Sequence, residues 1–240
     1  MMRLPPRLRS RLAFATVLTL ASTALLVVGL VSILNALGDD GADLPSQCTL
    51  EEILHDEGTV GSTPGQPPAG PPPPPAVRFA IPSIYIDAPV VVLGVGADNY
   101  PQVTERADQV AWYSFSAPPG RPGNAVFSGH VDWQTRTGAP IPGVFYRLRE
   151  LRIGQSVVVT LEDGTQLQYR VTGNVATAYD DPNVAKTMGA SAKDVITVIT
   201  CGGTWLRDPS KEHGGNYSHR VIVRAERVQG VVSSDLSDGS

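Results

Sequence analysis

Ser156-Val-Val-Val-Thr-Leu-Glu-Asp-Gly-Thr-Gln-Leu-Gln-Tyr-Arg-Val-Thr172 is the stretch whose reading decides the fold. Val157, Val159 and Leu161 alternate with Val158 and Thr160, Asp163-Gly164 supplies a two-residue turn, and Thr165, Leu167, Tyr169 and Val171 resume the alternation. Successive strand side chains point to opposite faces, so this pattern around an Asp-Gly pair predicts an antiparallel hairpin with one apolar side. Further segments of the same kind lie at 77–81, 84–93, 110–113, 125–128, 195–200 and 221–228, mostly bounded by Gly, Pro or Asp. Eight short strands with little helix predict a mainly β domain over 76–228, closed into an eight-stranded barrel; a sandwich shares the one-dimensional pattern. The stretch 144–151, with apolar Val144, Phe145, Leu148 and Leu151, predicts a short helix.

Composition limits what such a domain can do. The chain has 240 residues with a net charge of -4, and no Lys/Arg run is interleaved with aromatics, which argues against nucleic acid as a partner. Two cysteines, Cys48 and Cys201, exclude a disulfide framework and any multi-thiolate zinc site with local ligand spacing; no metal or cofactor is expected. Asp132, Asp180 and Asp181 are read as loop carboxylates rather than a calcium site.

Upstream of the barrel the chain changes character. Residues 1–12 form a basic tail with Arg3, Arg7, Arg9 and Arg11, followed by an uncharged apolar run within 13–34. As a helix that run reaches about 32 Å, enough for a hydrocarbon layer of roughly 30 Å, and the flanking charges predict a single-pass, N-in anchor in the cell membrane. The alternative is a signal peptide cut near Ala36, and both readings put the remainder outside the cell. Residues 35–75 are read as an acidic and then Pro-rich extracellular spacer, stiffened by Pro71 to Pro75. Within it, 50–54 could form a helical turn with nothing to pack on, and Cys48 is expected to be unpaired or intermolecular. Residues 229–240 are read as a disordered tail.

Candidate chemistry gathers at strand ends. Cys201 closes the apolar strand 195–200 and precedes Gly202-Gly203; His130 follows Ser128-Gly129 at the end of another strand; Arg220 opens the last one. A thiol is nucleophilic as thiolate and needs a neighbouring cation, so these are the natural partners. Singly, each also reads blandly: the cysteine as a small buried hydrophobe, the histidine as a polar surface residue. Asp132 and Trp133 follow His130 closely enough to tune or shield it, but take the bland reading, as do His213 and His219, read as surface residues in the loop before the last strand, and Asn216-Tyr-Ser, a sequon by pattern only.

Together these segments resemble the sortase family. Its (A/S)-G-H segment matches Ser128-Gly129-His130, its T-L-x-T-C strand matches Thr197-Val198-Ile199-Thr200-Cys201 with Val for Leu, and its strand-opening arginine matches Arg220. Phe79-Ala-Ile-Pro-Ser-Ile-Tyr-Ile-Asp-Ala-Pro-Val resembles the opening segment of the family, Phe145-Tyr-Arg-Leu resembles its F-x-x-L segment, and Cys-Gly-Gly resembles its class E/F members of high-GC Gram-positive and related bacteria. The resemblance implies a cysteine transpeptidase (a C60-like peptidase/acyltransferase) that cleaves an LPxTG-like signal in secreted proteins and passes the acyl group to a cell-wall precursor or other amine. Cys201 would be the nucleophile, His130 the acid and base, Arg220 the oxyanion or backbone-binding cation, and Thr200 and Gly129 further substrate or oxyanion contacts. The alternative is a non-catalytic, membrane-tethered β-domain that binds wall or partner proteins.

Overall fold

The computed structural model describes residues 46–55, 72–135, 138–210 and 214–228. The expected anchor at 13–34, His213 and the expected tail at 229–240 lie outside them. Among the described residues no helix is long and apolar enough to cross a membrane.

Eight strands close the barrel: β1 (Ala76–Ile81), β2 (Ile86–Leu93), β3 (Val110–Tyr113), β4 (Gly123–Ser128), β7 (Ser156–Leu161), β8 (Gln166–Ala178), β9 (Asp194–Arg207) and β10 (Gly215–Arg227). They run around it in the order β1-β2-β3-β4-β9-β10-β8-β7. β2–β3 and β4–β9 pair parallel, and the other neighbours antiparallel. Two short strands, β5 (Asp132–Trp133) and β6 (Ile141–Pro142), form a separate ladder beyond β4. The expected closed barrel is thus present, and the sandwich is not.

The hairpin that opened the reading is β7–β8, with Val157 opposite Tyr169 and Val159 opposite Leu167, all buried. Its loop has three residues rather than two: Gly164 N–H donates to Leu161 O and Leu161 N–H to Thr165 O, leaving Glu162-Asp163-Gly164 between the strands. Gly164 sits at φ 86°, the left-handed position that such a loop requires of its last residue. The interior is built around Phe79, whose ring lies 4.9 Å from that of Phe127 and 5.9 Å from that of Phe145.

The helix expected at 144–151 is a run of tight turns ending in the 3₁₀ segment Leu148–Glu150. Leu148, Glu150 and Leu151 N–H groups all donate to the carbonyl three residues back. The apolar spacing explains this: Phe145, Leu148 and Leu151 are all buried, and a three-residue repeat faces one side only in a 3₁₀ geometry.

The spacer reading also needs correction. Residues 46–55 belong to the compact unit Leu44–Ser240, and α1 (Leu50–His55) packs Leu50 and Ile53 against Val175 and Ile222 on the outer barrel wall. Gln47 N–H donates to Asn174 O (2.8 Å), its side-chain amide donates to Leu151 O and accepts from Ile153 N–H, and Ser46 Oγ accepts from Ala176 N–H. Thr49 and Glu52 cap the helix reciprocally. Cys48 lies over Gly173, where any Cβ would meet its sulfur, so it is part of this packed strap rather than of a free spacer. Both Cys48 and Cys201 are free thiols.

Candidate active site

Three neighbouring strands, β4, β9 and β10, carry the residues singled out from the sequence. Cys201 on β9 pairs directly with Arg220 on β10, so the two side chains leave the same face. Ser128, the last residue of β4, pairs in parallel with Ile199 on β9, so His130 lies two residues past the end of β4 and Cys201 two residues past that pair. Thr200 faces the other way, beside Val221, and its hydroxyl donates to Gly129 O at 2.8 Å. That bond clips the histidine-bearing strand end to the cysteine-bearing one; the Thr200 hydroxyl proton is engaged there rather than aimed at a substrate oxygen. Gly129 has no room for a side chain, since a Cβ would come within 2.6 Å of Val144 Cγ1.

His130 is held on three sides. Its carbonyl accepts from Phe145 N–H (2.9 Å), its ring stands edge-on to Trp133 at 4.9 Å, and Nε2 lies 2.8 Å from Thr104 O. A carbonyl can only accept, so Nε2 carries a proton and Nδ1 is the nitrogen left to exchange one. Trp133, read from the sequence as a bland neighbour, thus stands against the imidazole, whereas Asp132 turns away to Tyr217, whose hydroxyl donates to Asp132 Oδ2.

Arg220 lies along its own strand, with Nη1 donating to His219 O at 2.9 Å and Nη2 to Asn216 Oδ1 at 3.0 Å, and with its guanidinium over the Tyr179 ring. Burial pushes the Cys201 thiol upward; the Arg220 cation pulls it down, and the Asp132 carboxylate pushes it up again. The net direction is upward from 9.0, so the resting thiol is neutral at physiological pH. A cavity of about 240 Å³ opens beside it, with walls that include Asp132, Tyr146, Arg149 and Tyr217. A larger cavity of about 710 Å³ lies at the other end of β9, near Asp194 and Arg227, and holds none of these groups.

Sequence reasoning missed two partnerships. Tyr113 on β3 bonds Ser128 Oγ at 2.7 Å and donates to Gln102 O, and burial above all pushes its hydroxyl upward. Tyr217 was legible only as the middle of a sequon, yet it lines the cavity and stands edge-on to Trp205 at 5.2 Å. His219 lies within β10, not in a loop before it, with Nδ1 2.8 Å from Ser218 Oγ. Asp181 serves a turn, accepting from Thr177 Oγ1 and Asn183 N–H.

The sortase domain family model matches residues 79–228, which is most of the described barrel. The chain belongs to the sortase family. Sortases are cysteine transpeptidases, and the fold of this one is the family's closed β-barrel. Among solved structures, this sortase is similar to sortase C-1 from Actinomyces oris, at 23% identity over 64% of this chain and 73% of that one, with a TM-score of 0.46. It is also similar to sortase C1 from Streptococcus suis (20%, covering 67% and 76%, TM-score 0.46) and to a sortase D5 transpeptidase from Clostridium perfringens (18%, 65% and 79%, 0.44). No curated protein matches the chain.

Proposed function

We propose that this sortase is a membrane-anchored transpeptidase, with its catalytic domain outside the cell, that cleaves an LPxTG-like signal in secreted proteins. It then transfers the acyl group to an amine of the cell wall or its precursor. The observation that carries this reading is the register of β9 and β10, which sets Cys201 opposite Arg220, with His130 two residues past the end of the adjoining β4. The Cys-Gly-Gly sequence supports a class E/F member, and the apolar run at 13–34 supports the anchor.

The geometry suits the chemistry in a definite order. A bound carbonyl next to Cys201 displaces water, the thiol proton passes to His130, and the sulfur attacks. His130 then protonates the departing amine, leaving a thioester. Arg220 is permanently charged and so cannot be the acid; its forked cation binds the substrate backbone and steadies the oxyanion. Thr200 and Gly129 act by fixing the spacing of the two strand ends.

The test uses the full-length protein with peptides carrying L-P-x-T-G-like and L-A-x-T-G-like motifs, with and without an amine, read by intact mass. An acyl-enzyme on Cys201 and an amine-linked product support the reading. Binding of wall fragments without any acyl-enzyme would instead establish the non-catalytic alternative.

A further inference from the structure

Asp132 poses a problem for a site that must make a thiolate. Its carboxylate lines the cavity beside Cys201 and acts on the sulfur against Arg220, opposing the charge the first step needs. Among the described residues only the Tyr217 hydroxyl bonds to it, through Oδ2, and no cation pairs with it. The other charged walls and neighbours are engaged: the Arg149 guanidinium lies over the Tyr146 ring, and Arg220 is bonded along its own strand. One oxygen of a carboxylate that shares the cavity with the nucleophile is thus left available.

We infer that Asp132 is the recognition group for the second substrate, binding the acceptor as a primary ammonium beside the thioester, with Tyr217 orienting the carboxylate. The inference rests on the transpeptidase reading and names the acceptor subsite within it. Its logic is sequential. In the free enzyme the carboxylate disfavours the thiolate; in the acyl-enzyme the sulfur carries no charge, so that cost vanishes while attraction for a cation remains. The ammonium held by Asp132 gives one proton to neutral His130 and becomes nucleophilic. Its nitrogen attacks the thioester carbonyl, the C–N bond forms, the C–S bond breaks, and the sulfur leaves as thiolate. The second proton of the former ammonium passes to that sulfur, and His130 returns its own to solvent.

The experiment uses the full-length protein, a peptide that acylates it, and two acceptors compared at neutral pH: ethanolamine, which is cationic, and hydroxylamine, which is not. Asp132→Asn is expected to speed acyl-enzyme formation while raising the KM for ethanolamine about tenfold, the scale of a lost hydrogen bond to a charged group. The KM for hydroxylamine should move far less, and Asp132→Glu should restore ethanolamine use. Equal losses with both acceptors, or an unchanged ethanolamine KM in an Asp132→Asn protein that still acylates, would overturn the inference and leave the transpeptidase reading intact. Absence of any acyl-enzyme on the wild-type protein would remove both.

Discussion

The two ends of β9 are built from the same parts and finished differently. At its start, the Tyr169 hydroxyl donates to Asp194 (2.9 Å) and accepts from Gly120 N–H, while Arg227 approaches Asp194 at 3.7 Å and covers the Tyr169 ring. Near its far end, the Tyr217 hydroxyl donates to Asp132, but the nearby arginine, Arg220, faces along β10 at the level of Cys201 instead. Every group in the first cluster has its partner, and the cluster ties β8, β9 and β10 together. In the second, the carboxylate and the thiol are left to meet something that arrives. A completed tyrosine, carboxylate and arginine set is structure; the same set left open beside a nucleophile is a site.

The contrast can be broken most severely at the nucleophile. Cys201→Ala should abolish acyl-enzyme formation in intact mass spectra while changing the thermal unfolding midpoint little, because Cys201 is only partly buried and the substitution removes a single sulfur atom. Next in size, Arg220→Lys should lower peptide cleavage about 10²- to 10³-fold, since a point charge cannot reproduce the fork that binds an oxyanion.

The matched pair of tyrosine variants sharpens the comparison directly. Tyr169→Phe should cost about 1–3 kcal/mol in urea unfolding, because Gly120 N–H and Asp194 lose a buried partner, with cleavage rates close to those of the unaltered protein. Tyr217→Phe should do the reverse, altering acceptor use with a smaller loss of stability. The smallest effect is a slope. Burial holds Asp194 above its ordinary 3.8, so the folded chain binds more protons than the unfolded one in that window. Stability attributable to Asp194 therefore falls as pH rises from about the ordinary carboxylate value to the raised one, and Asp194→Asn should flatten that part of the urea-unfolding profile.

How much of this was legible follows from where each signal resides. The β7–β8 hairpin was readable because alternation is local, and Cys201, His130 and Arg220 were readable as strand-end residues; which strands would pair to bring them near one another was not. β8, β9 and β10 extend well beyond their apolar runs, since Thr177, His219 and Trp205 are polar or exposed and yet paired through the backbone. The α1 strap was invisible because Leu50 and Ile53 make sense only against Val175 and Ile222, far along the chain. The same holds for Tyr217 and Asp132, whose bond spans 85 residues and has no sequence pattern of its own.

The most direct measurement is the pH dependence of Cys201 alkylation by iodoacetamide in the protein and in its Arg220→Gln and Asp132→Asn variants. Arg220 and Asp132 act on the thiol with opposite signs, so the midpoint should lie above that of an ordinary thiol in the unaltered protein, higher still without Arg220, and lower without Asp132. Midpoints unmoved by both substitutions would contradict the account, because neither side chain would then act on the sulfur that the fold sets beside them.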